Sequence, residues 1–159
     1  LDVTLPWSEG EREGLSRRVA DHLVDMSFSA ADPVDSGRRS PLIGVVPTIS
    51  AALFHYREAG DFDSYLDVVD RMRRSLLYRH HFSILERWID AMNAPPANAG
   101  ISITAASAFK LAYLEARVAR IRSLPSEFEK SLYQAQCALD QLISEGHSCT
   151  KDRMSLAFE

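Results

Sequence analysis

The chain is poor in cysteine, with only Cys137 and Cys149 among its 159 residues. Two cysteines cannot build a disulfide framework, so a reducing compartment, cytoplasmic or nuclear, is the expectation. Cys137 falls inside a helical pattern and reads as a small core or boundary residue. Long apolar runs are also missing. None reaches the ~18 residues a membrane helix needs, so no membrane partner is expected. A basic excess is absent as well: 18 Lys and Arg stand against 22 Asp and Glu, a net charge of −4. That argues against a generic nucleic-acid binder. There is no Gly-rich phosphate loop and no nucleophile elbow. Strand-like alternation is lacking apart from the short apolar run Leu42–Val46.

What is present reads as helix. Hydrophobic residues make up 46% and charged residues 25%, ordinary for a folded globular chain. A chain of this length buries roughly 68–70% of its unfolded surface and needs no covalent staple. The first residue is Leu1, which fits an excised domain or a processed product.

The helices are organised around residues 47–92. Thr48 or Ser50 is a candidate cap for a segment bearing Ile49, Ala52, Leu53 and Tyr56 at helical spacing. Gly60 stops it, and Asp61 and Asp63 can cap the next. That helix carries Tyr65, Leu66, Val69, Met72, Leu76 and Leu77 on one side, with Asp67–Arg71 and Asp70–Arg74 pairs four apart. A break is expected near His81. Ser83 and Glu86 have capping-box spacing, and Ile84, Leu85, Trp88, Ile89 and Met92 follow. Ala94-Pro95-Pro96 ends this run. The stretch AALFHYREAGDFDSYLDVVDRMRR resembles a helical-hairpin repeat of the pentatricopeptide or tetratricopeptide kind in Tyr56, Gly60, Asp61, Val69 and Met72. No second copy follows at the ~35-residue period. The resemblance therefore implies shared helix-turn-helix chemistry rather than membership.

Upstream, Ser8 and Glu11 have capping-box spacing, and Leu15, Val19, Leu23 and Met26 form the expected stripe. Gly10 and Gly14 weaken its first turns. Residues 27–47 have no helical period and read as a long loop over the core, with 32–40 mobile. Arg38-Arg39-Ser40-Pro41 reads as solvated loop rather than a kinase site. Downstream, Ser102 or Thr104 caps a helix to about Ser123. Leu111, Leu114, Val118 and Ile121 line one side of it, and Ala105, Ala108, Ala112, Ala116 and Ala119 a neighbouring side. Ser126 and Glu129 suggest another box, and Phe128, Leu132, Ala135, Leu139 and Leu142 form a coiled-coil-like seam up to Gly146. The expectation is an all-α fold: a bundle of five to six helices with antiparallel helical hairpins, one domain over 1–146, and a polar tail over 147–159.

Chemistry is scarce. His80 and His81 are adjacent and diverge on a helix, and His147 and Cys149 lack a second ligand pair, so no metal site is expected. Asp61, Asp63 and Asp67 miss the glycine and closing glutamate of a calcium loop. No cofactor is expected. If catalysis were present, His81, Glu86 and Arg87 would be its candidates. Phe54, Tyr56, Tyr65, Tyr78, Phe82 and Trp88 could line a ligand cavity, but aromatics at this spacing more often form core. The leading expectation is a non-enzymatic protein-interaction module: a scaffold, adaptor, regulatory or assembly domain, with a protein partner or a second copy of itself. The alternatives are a nucleic-acid-associated, viral or effector-type protein using basic faces, and a small-ligand-binding or enzymatic bundle. Lys110, Tyr113, Arg117 and Arg120 recur three, four and three apart and share one helical face. With Arg73, Arg74 and Arg79 on the preceding helix, they are the candidate partner-binding residues, on a face expected to be exposed.

Overall fold

A computed structural model describes residues 8–31, 42–78, 81–94 and 103–146. The fold is all-helical. Among the described residues six helices run in order: α1 (Glu9–Ala31), α2 (Leu42–Glu58), α3 (Phe62–Tyr78), α4 (Phe82–Asn93), α5 (Ala105–Ile121) and α6 (Pro125–Ser144). The segments 32–41 and 95–102 and the tail with His147 and Cys149 lie outside the described residues.

The chain divides into two compact units, at Val68/Val69. In the first, α1 packs against α2. The capping box at the start of α1 forms as expected. The Ser8 backbone N–H donates to Glu11 Oε2 at 2.8 Å, and the Glu11 N–H donates to Ser8 Oγ at 3.4 Å. The Ser8 backbone N–H, and after it the Ser8 hydroxyl, both donating to Oε2, hold the Glu11 carboxyl below its usual range. The stripe of α1 differs from the expected one. Ala20 and Ser27 are its buried residues, Val19, Leu23 and Phe28 are half-buried, and Leu15 and Met26 are exposed. The face turned inward is thus made largely of small residues.

The 27–47 loop is shorter than expected at both ends. Residues 27–31 continue α1, and 42–47 belong to α2. Thr48 and Ser50 therefore lie inside a helix and cap nothing. β-branched residues and one glycine resist helix only weakly, and packing on α1 overrides that. Pro47 sits inside α2 and leaves the Ile43 carbonyl without its helical N–H. Ile49, Ala52, Leu53 and Tyr56 are buried, as their spacing required. Gly60, at φ +66°, closes α2. The Asp61 N–H reaches Tyr56 O and the Gly60 N–H reaches Arg57 O, the paired bonds of a Schellman motif. Asp61 then caps α3, accepting the Ser64 N–H at 3.1 Å, and also pairs with Arg17 of α1 at 2.8 Å. Tyr56 Oη donates to Asp21 Oδ1 of α1 at 2.6 Å.

In the second unit α4 packs on α5, and α5 on α6. Leu85, Trp88, Ile89 and Met92 of α4 are buried. The break falls at His81, but Ser83 and Glu86 do not form a box. α4 begins at Phe82, so His81 is the N-cap and makes no side-chain cap bond. Likewise α6 begins at Pro125 with Leu124 as N-cap, which places Ser126 inside the helix. Proline's fixed φ starts that helix without a side-chain cap. Thr104 does cap α5, accepting the Ser107 N–H at 3.2 Å. Ala105, Phe109 and Ala112 of α5 share a core cluster with Ala135, Ala138, Leu139 and Leu142 of α6. The α5 alanines are buried or half-buried, Leu114 and Leu139 are fully buried, and Leu111 and Leu132 are half-buried. Cys137 is exposed on α6 rather than in the core. The small side chain that enters the core there is Ala138, one residue on. Among the described residues no helix is long and apolar enough to cross a membrane.

Candidate partner-binding face

Tyr113 lies midway along α5 and is half-buried. One turn earlier Phe109 stacks its ring nearly parallel, with centroids 6.1 Å apart and planes 13° from coplanar. One turn later Arg117 brings its guanidinium to 5.5 Å from the Tyr113 centroid. From α3, Arg73 approaches the same ring to 5.4 Å. The electron-rich ring face attracts both cations, each by about 0.5–2 kcal/mol depending on desolvation. Arg73 is further fixed by Asp70, whose Oδ1 accepts from its Nε at 2.8 Å. The expected Asp70–Arg74 pair rests on a side chain outside the described residues.

Of the seven candidate residues, Arg73, Tyr113 and Arg117 come together. Lys110 is half-buried on the same helix, and Arg120 stands exposed. The face is therefore not the open solvated surface expected. Three of its four α5 residues are half-buried, because the Tyr113 ring draws the arginine stems over itself. The side chain of Arg74, and Arg79 as a whole, lie outside the described residues. Phe109 is not among the residues that the sequence singles out, and Asp70 is singled out there only toward Arg74; the spacings of four to Tyr113 and three to Arg73 are the available signal.

The other candidates are scattered. Glu86 is ion-paired with Arg122, Arg87 is exposed, and no hydrogen bond or ion pair joins them to His81. Of the aromatic set, Tyr56, Tyr65 and Trp88 are buried, Phe82 is half-buried, Phe54 is 59% exposed, and the Tyr78 side chain is not described. Burial pushes the Tyr65 hydroxyl up to about 12, the Arg57 charge opposing it. Burial and the Asp21 hydrogen bond, with the nearby charges of Asp21, Asp61 and Asp25, raise Tyr56 too. Neither phenol is suited to proton transfer near neutral pH. Tyr133 is 72% exposed, its hydroxyl raised by the hydrogen bond with the Cys137 thiol one turn on. No group of three His, Cys, Asp or Glu among the described residues could hold a metal ion.

A second feature of this unit is a groove of about 340 Å³ lined by residues of α4, α5 and α6 and of the joint after α5. Its walls carry Glu86, Asp90, Glu115 and Glu127 against Arg122 and Lys130. Asn93 Nδ2 donates to Glu115 Oε1 at 2.7 Å across it.

Comparison of the chain with protein-family models, with curated proteins and with solved structures gives no match.

Proposed function

We propose that this chain is a helical interaction module, a bundle of antiparallel hairpins that binds an acidic segment of another protein, or of a second copy of itself, at the Tyr113 face. The hairpin reading is supported by the α5–α6 cluster. Residues at the start of α5 join residues at the end of α6, and only 122–124 connect the two helices. The binding reading is carried by one observation: Arg73 and Arg117 converge on the Tyr113 ring from two helices. A guanidinium held by stacking has already lost part of its side-chain entropy, which lowers the cost of meeting a partner carboxylate. Tyrosine and arginine are the residue types enriched where binding energy concentrates. Helices supply such faces without catalytic groups.

The test is fluorescence anisotropy of a labelled glutamate-rich peptide with the full chain at low salt. Binding that falls steeply as salt rises is expected. Arg117→Glu with Arg120→Glu should weaken it by about tenfold or more, provided circular dichroism shows the melting temperature retained. Arg117→Gln serves if the reversal unfolds the chain. Affinity unchanged by these variants at low salt would leave the face as solvated surface. Stronger binding of an oligonucleotide of equal charge would favour the nucleic-acid alternative.

A further inference from the structure

We infer that the groove lined by α4, α5 and α6 is a binding site for a small organic amine, of the size of a linear diamine. Four carboxylates and two cations line it. One of the four, Glu86, is held by Arg122. Glu115 is oriented by the Asn93 amide, a neutral donor that brings no compensating cation. Asp90 and Glu127 are exposed at the walls. The balance of the groove is therefore negative, in contrast to the arginine-bearing Tyr113 face.

Ser131 is the second, independent observation. It is 7% exposed, lies on the groove wall, and its hydroxyl makes no hydrogen bond among the described residues. A hydroxyl on the wall of a polar groove, without a protein partner, can take up a ligand donor. An ammonium group has three donors and no acceptor. One can go to Ser131 Oγ and the others to carboxylates, the stronger, charge-assisted kind of bond. Ile89, Val118 and Ala119 also line the groove and give a short methylene chain an apolar wall. A volume of about 340 Å³ lies at the small end of ligand sites, which suits a chain of a few carbons.

The experiment is a titration of the 15N-labelled full chain with 1,4-diaminobutane at low ionic strength. Saturable shifts should cluster on the amides of 86–93, 118–122 and 127–134. Glu115→Gln together with Glu127→Gln should weaken binding by about tenfold or more, and Ser131→Ala severalfold. 1,4-Butanediol, of the same length without charge, should leave the spectrum unmoved. If Ser131→Ala fails to fold, the glutamine pair decides, since Glu127 is exposed and Glu115 half-buried. Three results overturn the assignment: no saturable shift up to about 10 mM diamine, equal shifts with the diol, or binding of a lysine-containing peptide but not of the diamine. The last would move the same ammonium chemistry to a protein partner. None of these readouts involves Arg73, Arg117 or Arg120, so this site and the Tyr113 face stand or fall separately.

Discussion

The α1–α2 pair and the α5–α6 pair are both helix-on-helix contacts, yet they are held by different forces. Between α5 and α6 the contact is apolar, with Phe109, Leu139 and Leu142 set among Ala105, Ala112, Ala135 and Ala138. Small side chains let the backbones approach, and each large one fills the space they leave. On α1 the most buried residues are Ala20 and Ser27, while Met26 is 54% exposed. Two polar pins hold it instead, Tyr56 to Asp21 and Asp61 to Arg17. Apolar burial contributes in proportion to area, whereas a hydrogen bond contributes about 1 kcal/mol net and an exposed ion pair less. α5–α6 should be the stable part of its unit and α1 the first element to open.

The largest effects should follow from cavities in the α5–α6 unit. Leu114→Ala or Leu139→Ala should each destabilise by about 2–5 kcal/mol. Leu132→Ala, at a half-buried site, should cost less. An unchanged urea midpoint for Leu114→Ala and Leu139→Ala would remove the basis of the comparison.

Next come the pins. Tyr56→Phe deletes the hydroxyl that donates to Asp21, and a hydrogen bond to a charged group is worth about 1.5–3 kcal/mol. Thermal melts of this variant should shift down, and proteolysis should reach α1 sooner. Arg17→Ala should cost under about 1 kcal/mol, because the Arg17 side chain is 56% exposed.

An alkaline limb should also appear. The folded state raises Tyr65 to about 12 from 10, so above pH 10 the unfolded chain releases a proton the folded one retains. Stability from this residue is fully present below pH 10 and is lost as pH rises from 10 to 12, on the order of 2–3 kcal/mol in all. Tyr56 adds in the same direction. Tyr65→Phe should flatten this limb in urea titrations at successive pH values. A limb of unchanged slope would contradict the assignment.

The smallest effects are gains. Gly14 lies in α1 with open space around an added methyl, so Gly14→Ala should stabilise by about 0.5–1 kcal/mol. Ser123 takes φ +57° where α5 ends. The Leu124 N–H reaches Ala119 O and the Ser123 N–H reaches Arg120 O, a Schellman closure made without glycine. Ser123→Gly should relieve that left-handed strain and raise the melting temperature by a few degrees, about 0.5–1 kcal/mol.

Legibility in the sequence followed locality. Gly60, Asp61, Thr104 and Gly146 act through neighbours a few residues away, and each does what its type implied. The box spacing occurs three times, at Ser8, Ser83 and Ser126, but forms only at Ser8. Spacing does not say where the first turn begins. Phe82 and Pro125 open the later helices one residue before the serine. The start of α2 at Leu42 was hidden by a glycine, a proline and β-branched residues, all disfavoured in a helix by amounts that packing on α1 exceeds. The stripe of α1 was misread because its inward face holds Ala20 and Ser27 rather than its largest side chains. At the Tyr113 face, the shared helical side of Lys110, Tyr113, Arg117 and Arg120 was readable. The approach of Arg73, forty residues away, was not, since it depends on how α3 meets α5. The groove escaped for the same reason, as its walls come from three helices.

Native-state hydrogen exchange measures the contrast between the two helix pairs directly. Amides of α5 and α6 should exchange slowest, their opening free energies lowered in step with global stability by Leu139→Ala. Amides of α1 should exchange at a lower free energy that Tyr56→Phe reduces further while leaving α5 and α6 unmoved. Equal protection of α1 and α5, falling together in both variants, would show a single cooperative core and contradict the distinction between apolar packing and polar pins.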